Sequence, residues 1–484
     1  MLDATATLPT GIIVGKERID QTSSGTLQHV NATTGQVQRD FAIAGKPEVD
    51  AAVSAARAAL PAWRAWPPTQ RRDALRRLAD LLRASTAEFA AISVLEAGII
   101  STFADQQAPR AAEWADYYAG WADKLTGATV PMAGAFDYTV HEPVGVVALL
   151  LSWNGPTGTI GMKVPAALAA GCTTVLKPSE LAPFSAIRFG QLCLEAGIPP
   201  GVVNVVPGDG RTGDLLVRHP DINKISLTGG PATAVRVQTA CAETLTPLLL
   251  ELGGKSANLV FADADLDVAA QRAADGIIRM SGQSCVAPTR LLVERHVYDQ
   301  LLDRVLAALS RVRLGNPETR QTTMGPVIAK SAADRIFATI DRARDEHAGN
   351  LLLGGDRQDG PLADGYFVPP TVFGAVDPDS DLAQNEVFGP VLSVSAFEDE
   401  AEAVRIANST RFGLAAYIHT GNIGRVLRLA EQLDAGNISV NGGTPVSGPY
   451  GTFGGFKRSG FGKEGGIAGV MEYVRTKNVS IARS

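Results

Sequence analysis

Cysteine is scarce in this chain of 484 residues: only Cys172, Cys193, Cys241 and Cys285 occur. None pairs at the short spacing of a zinc or CxxC redox site, so neither that chemistry nor a disulfide scaffold is expected. Cys172, Cys193 and Cys241 read as small buried hydrophobes. The six histidines, His29, His141, His219, His296, His347 and His419, lie in no motif beside Cys285; a Cys-His protease has no anchor, and each reads as a surface or packing residue. Long apolar runs are missing too. Val144 to Leu151 is far short of the ~20 residues that span a bilayer, and Met1-Leu2-Asp3-Ala4 lacks the cationic start of a secretory signal. A soluble, cytoplasmic protein is expected. Positive charge is also in deficit, 44 Lys and Arg against 50 Asp and Glu for a net charge of -6, a field that repels nucleic acid and anionic membranes.

What remains is globular: 45% hydrophobic and 19% charged residues, a length that suggests two or three domains at roughly 150 residues each, and 50 glycines for tight turns and close approaches to ligands. The early part reads as helix. In Thr69 to Leu82, Leu75, Leu78 and Leu82 recur at helical spacing, with Arg71, Arg72, Arg76 and Arg77 mostly on the other faces. Ser85 and Glu88 have the spacing of a capping box for the next helix, and Gly98 is its stop. From Val144 strands and helices alternate: strands at Val144 to Trp153, Thr173 to Lys177, Val202 to Val206 and Lys224 to Thr228, helices at Pro183 to Ala196 and Pro231 to Ala242. That order predicts a parallel sheet covered on both faces, with ligands beyond its carboxyl ends. A second alternating region from about Ser256 to Asn441, with strands at Arg290 to Val293, Val391 to Ala396, Ala415 to His419 and Asn437 to Val440, predicts a second α/β unit.

Three residues carry chemistry. Cys285, in Gly282-Gln283-Ser284-Cys285, is a nucleophile if an electropositive or amide-rich, accessible setting favours its thiolate, and an inert thiol otherwise. Glu251 ends the apolar run Leu248-Leu249-Leu250, where partial burial would raise its pKa towards that of a general base; the alternative is a helix cap or an ion pair with Lys255. Asn154, in Ser152-Trp153-Asn154, ends a strand and either completes an oxyanion hole or is an ordinary turn asparagine.

Six blocks occur in order: Glu142-Pro143-Val144-Gly145-Val146, Lys177-Pro178-Ser179-Glu180, Leu250-Glu251-Leu252-Gly253-Gly254-Lys255, Gly282-Gln283-Ser284-Cys285, Glu386-Val387-Phe388-Gly389-Pro390 and Phe453-Gly454-Gly455-Phe456-Lys457. With them the chain resembles the NAD(P)-dependent aldehyde dehydrogenase superfamily from Arg18 to near Val479. The resemblance implies an α/β aldehyde dehydrogenase-like fold: a Rossmann-type cofactor domain (1–122 and 143–250), an α/β catalytic domain (251–453), and bridging oligomerisation strands (123–142 and 468–484) of a homodimer or homotetramer. It implies oxidation of an aldehyde to a carboxylic acid. Cys285 then forms a thiohemiacetal and a thioester, Asn154 and the Cys285 backbone N–H hold the oxyanion, Glu251 activates the hydrolytic water, and Glu464 supports proton transfer.

The same resemblance places NAD. Lys177 and Glu180 match the pair that holds the adenosine ribose, and a carboxylate at Glu180 favours NAD over NADP. Glu386 matches the residue on the nicotinamide ribose, with Phe388 beside the ring. Gly229 and Gly230 open a helix whose free N–H groups suit a pyrophosphate. Leu151, Trp153, Ser179, Gly210, Thr233 and Leu252 complete the implied cofactor site; no metal is implied. Gly155, Thr159, Met162, Arg279, Met280, Ser284 and Val446 are the implied substrate pocket.

Three positions depart from the family pattern. Gly230 and Pro231 stand where a serine is usual, which removes a hydroxyl but leaves backbone donors and a proline suited to a first helical turn. Gly155 replaces a frequent aromatic, which predicts a wider channel accepting a branched, cyclic or aromatic aldehyde. Lys463 replaces an arginine and loses its bidentate fork. Rival readings are a CoA-acylating dehydrogenase, disfavoured by the presence of Glu251, an esterase, disfavoured by the cofactor residues, and a silent binding or structural protein on the same scaffold.

Overall fold

The computed structural model describes residues 8–445 and 448–483. Strands Val146–Leu150, Thr173–Lys177, Val203–Val205, Lys224–Thr228 and Leu248–Glu251 run parallel in the middle of an eight-stranded sheet. Their side chains alternate between two cores. Val147 and Leu149 point to one, with Leu75, Ala111, Ile160 and Phe189 from four helices. Val146, Ala148 and Leu150 point to the other, with Val49, Leu216 and Val237. A strand buried on both faces needs an unbroken apolar run, which is what Val146–Leu150 supplies. Short strands at Ile12–Val14 and Glu17–Ile19 extend one edge, and Gly460–Phe461 pairs antiparallel with Leu250 and Glu251 at the other.

The chain lays Val146–Leu150 first, moves outward through Thr173–Lys177 and Val203–Val205, then returns to place Lys224–Thr228 on the opposite side. The order therefore reverses between Val146–Leu150 and Lys224–Thr228, and this is where open α/β sheets form ligand crevices. A seven-stranded sheet repeats the logic, with Ala257–Val260 between Arg290–Glu294 and Ala415–His419. A third sheet of three antiparallel strands joins Thr129–Val130, Ala135–Pro143 and Val474–Ala482.

The expected elements stand within a few residues of their predicted bounds, and two local expectations fail. Ser85 makes no capping bond, because helices Pro68–Ala84 and Thr86–Ala97 follow each other with one residue between them; Glu88 instead pairs with Arg188 at 2.7 Å. A capping box forms instead at Glu48, which accepts from the Gly45 N–H at 2.9 Å. Arg71 is not on a solvated face: it is 8% exposed and donates to the Trp66 carbonyl at 2.8 Å. Gly98 does end its helix, at φ 63°. Among the described residues no helix is long and apolar enough to cross a membrane.

Candidate active site

A cavity of about 300 Å³ opens beyond the carboxyl ends of Lys224–Thr228 and Leu248–Glu251, and Asn154, Thr228, Glu251 and Cys285 all line it. Cys285 is delivered by a strained turn. Met280, Ser281 and Gly282 take φ values of 50°, 55° and 73° in succession, a conformation that costs roughly 1–2 kcal/mol for each non-glycine residue. Side chains hold it in place. Ser281 Oγ donates to the Gly325 carbonyl at 2.7 Å, Gln283 Nε2 to the Met280 carbonyl at 3.0 Å, and Gln283 Oε1 accepts from the Ile328 N–H at 2.9 Å. Gly254 packs on the thiol's own peptide: a Cβ there would lie 2.6 Å from the Cys285 carbonyl oxygen.

Asn154 is not at a strand end; it lies four residues beyond Leu150, in an irregular loop. There its Oδ1 accepts from Ser152 Oγ at 2.7 Å and its Nδ2 donates to the Gln283 carbonyl at 3.1 Å. The amide NH2 is thereby aimed at the loop that carries the thiol. The charges that act on Cys285 are carboxylates and not cations. Burial, then the Glu386 and Glu251 carboxyls, push its thiol up to about 12, and the neighbouring backbone amides offset only part of this. The side chain is only partly covered, because one side faces the cavity.

Glu251 is 4% exposed and neither carboxylate oxygen has a hydrogen-bond partner. Burial, with the charge of Glu464 second, raises its pKa well above the usual carboxylate range. No ion pair with Lys255 forms: the Lys255 ammonium is buried without a partner, and burial lowers it to about 7. Behind Glu251, Glu464 forms a buried ion pair with Lys163, whose Nζ also donates to Ser226 Oγ at 2.7 Å. The hydroxyls of Tyr118 and Tyr473 sit in the same pocket of polarity, and burial and the Glu464 charge hold both firmly protonated. Lys463 donates to the Gly454 carbonyl at 3.1 Å and lies 4.9 Å from the Phe456 ring centroid. That is one carbonyl and one ring, contacts that need no fork.

On the other side of the switch point, Lys177 ends its strand 9% exposed, 3.7 Å from Glu180. Burial lowers the Lys177 ammonium, partly offset by Glu180. Ser179 Oγ accepts from the Leu181 N–H at 3.2 Å. Gly229 donates to the Glu251 carbonyl at 3.0 Å, and Gly230 precedes helix Pro231–Thr244 with no side-chain cap and open space around its Cα. The first N–H groups of that helix, at Ala232 and the exposed Thr233, have no intrahelical acceptor. Helix Gly210–Val217 differs: the Asp209 side chain already caps it, so Gly210 marks a less anion-ready terminus. Glu386 accepts from the Gly254 N–H at 2.9 Å, and burial raises it to about 7. Phe388, at φ 53°, meets Trp153 edge to face with centroids 5.3 Å apart. Leu151 and Leu252 are buried.

Gly155, Thr159, Met162, Arg279, Met280 and Ser284 line the cavity; Val446 lies outside the described residues. Gly155 has a backbone reason to be glycine. It takes φ 73° as N-cap of helix Pro156–Ala170, a left-handed position that an aromatic residue would strain.

A model of the aldehyde dehydrogenase family matches residues 19–479. The chain belongs to the aldehyde dehydrogenase family. An aldehyde dehydrogenase of Emericella nidulans is 39% identical over 475 residues, 97% of this chain and 95% of that protein. The crystal structure of betaine aldehyde dehydrogenase from Staphylococcus aureus in complex with NAD+ superposes with a TM-score of 0.96 at 32% identity, covering 99% of this chain and 96% of that one. PnpE in complex with nicotinamide adenine dinucleotide gives a TM-score of 0.96 at 38% identity and 98% coverage of both chains.

Several residues of this aldehyde dehydrogenase's site escaped the sequence reading. Lys163 carried a signal, a lone cation in the apolar stretch Ile160-Gly161-Met162-Lys163-Val164. His419 is not simple packing: it lines the cavity from the carboxyl end of its strand, and burial lowers its pKa to about 4. Phe103, Arg110 and Tyr417 had no local signal, since only the folded chain brings them to the cavity.

Proposed function

We propose that the chain oxidises an aldehyde to a carboxylic acid, released as its carboxylate, with NAD and water, giving NADH and two protons. The observation that carries this is the convergence of Asn154, Glu251 and Cys285 on one cavity at the sheet's switch point, beside an uncapped helix terminus. Cys285 Sγ bonds to the carbonyl carbon and releases its proton to cavity water. The oxygen takes up negative charge, held by Asn154 Nδ2 and the Cys285 N–H. NAD, when bound, supplies the hydride acceptor that turns the adduct into a thioester. Glu251, its basicity raised by burial, then takes a proton from water as that water attacks the thioester carbon, and gives it up to the sulfur as the C–S bond breaks and Cys285 leaves as the thiol. Glu464 and Lys163 fix the field behind it.

The residues present fit NAD. The uncapped helix at Gly230 offers backbone N–H groups to a pyrophosphate, the Glu180 carboxylate accepts from ribose hydroxyls while repelling a 2'-phosphate, and Glu386, Phe388 and Trp153 wall the nicotinamide end. The cofactor unit comprises 1–122 and 143–250, the catalytic unit 251–453. The strands near 123–142 and 468–484, long and largely exposed at Val474–Ala482, bridge to a second copy in a homodimer or homotetramer. A cytoplasmic setting belongs to the same reading, supported by four free cysteines.

The test is Glu251→Gln in stopped flow. A first burst of NADH should persist while steady turnover falls by about 10²–10⁴, and added CoA should not restore it. Unchanged steady turnover would overturn the role of Glu251, and CoA-dependent acyl product from the unaltered protein would favour the acylating alternative.

A further inference from the structure

The outer wall of the cavity holds cations without partners. Arg279 lies over the Phe103 ring with its guanidinium carbon 4.4 Å from the centroid, and Arg110 approaches the same ring at 5.7 Å. Two guanidinium groups sharing one ring repel each other: Arg110, after burial, is what weakens the hold of Arg279 on its proton. Nothing among the described residues neutralises them by an ion pair. The acids in the same wall hydrogen-bond elsewhere, Asp275 accepting from Gln271 Nε2 at 2.8 Å and Glu113 taking the Tyr450 hydroxyl; the Asp275 charge supports Arg279 without pairing with it, and by less than burial and Arg110 oppose it. Arg272 adds a third cation nearby. Arg279 is exposed and lines the cavity, so its guanidinium donors are available to a substrate there.

Like charges gathered in a walled cavity favour an anion and disfavour a cation, and a guanidinium is the group that grips a carboxylate through two parallel hydrogen bonds. We propose that the substrate is an aldehyde bearing a carboxylate at its far end, the semialdehyde of a dicarboxylic acid, with the carboxylate received by Arg279 and Arg110 beside Phe103 while the aldehyde reaches Cys285. This rests on the oxidation proposed above. The positive φ of Gly155 leaves the inner wall without a side chain, so the linker between the two ends has room for a branch or ring.

The experiment compares kcat/KM, by NADH formation, for the semialdehyde of succinate, for butanal of equal length, and for the cationic trimethylammonio-acetaldehyde. The semialdehyde should exceed butanal by about 10- to 100-fold, the range of a charged hydrogen-bonded contact, and the cation should be poorest. In Arg279→Gln the ratio of semialdehyde to butanal should collapse at least about 10-fold, through KM, and Arg279→Lys should recover part of it. As a readout without turnover, succinate should raise the thermal midpoint of the unaltered protein and not that of Arg279→Gln. Equal kcat/KM for semialdehyde and butanal, or an Arg279→Gln variant that lowers both by one factor, overturns the proposal while leaving aldehyde oxidation intact. NADH formation from none of the aldehydes overturns both.

Discussion

Gly254→Ala should disable the enzyme far more than it destabilises it. The added Cβ would sit 2.6 Å from the Cys285 carbonyl oxygen and 3.2 Å from Leu414 Cβ, where ordinary contact begins near 3.4 Å. The Cys285 peptide must therefore retreat by about 0.8 Å, since Leu414 and the strand before Gly254 block the other direction. Overpacking of this kind costs about 1–3 kcal/mol, and the loss of glycine freedom in the unfolded chain returns about 0.4–1 kcal/mol. The net stability change is small for a chain of this size. Turnover is more sensitive: a misplacement near 1 Å costs about 10²-fold when reacting atoms must align, so kcat should fall about 30- to 100-fold. Saturating NADH assays give kcat, a thermal melt gives stability, and Gly451→Ala, whose Cβ meets open space, serves as control. A Gly254→Ala enzyme within twofold of the unaltered kcat would refute the claim that this contact sets the position of the nucleophile.

Lys163→Met leaves the Glu464 carboxylate buried without its cation, which should cost about 3–5 kcal/mol in urea unfolding, and adding Glu464→Gln should restore much of it; additive losses in the double variant would sink the idea of a coupled pair. Because the Cys285 thiol is pushed up to about 12 in the cofactor-free protein, its alkylation by iodoacetamide should rise about tenfold per pH unit from 7 to 9.5, whereas a plateau below pH 8 would contradict a setting in which burial, and after it two carboxylates, disfavour the thiolate. Glu386 has a folded pKa of about 7 against an ordinary 4.5, so the folded state holds its proton more tightly. Its contribution to stability is full below about 4.5 and is lost as pH rises through about 7; Glu386→Gln should flatten that part of the melting profile, and an unchanged slope would refute it.

The sheet was legible because its middle strands are buried on both faces, which forces continuous apolar runs such as Val146–Leu150. Helix stops were legible where geometry demands one residue type, as at Gly98. The capping box at Ser85 and Glu88 misled because the same letters also describe a surface carboxylate pairing with a distant arginine, and only tertiary packing decides between them. Asn154, Glu251 and Cys285 were readable as one trio once the family blocks were seen, but the contacts that bring them together were not. Their meeting depends on contacts spanning over a hundred residues, such as Asn154 with Gln283. The environment of Cys285 stayed open for a related reason: Glu386 lies a hundred residues downstream, and nothing local announces that its charge reaches the thiol.

The eighth strand of the first sheet has a bearing on biosynthesis. Gly460–Phe461 pairs with Leu250 and Glu251, so the strand that presents the carboxylate is completed by a segment translated some two hundred residues later. Glu464, the partner of Lys163, arrives on the same segment. A nascent chain that has emerged only through residue 450 holds Lys163 without its counter-charge and Leu248–Glu251 as an unpaired edge, features that invite misassociation. Ripening of the site is thus a late event, and chaperone dependence should concentrate in the interval between synthesis of Glu251 and synthesis of Glu464.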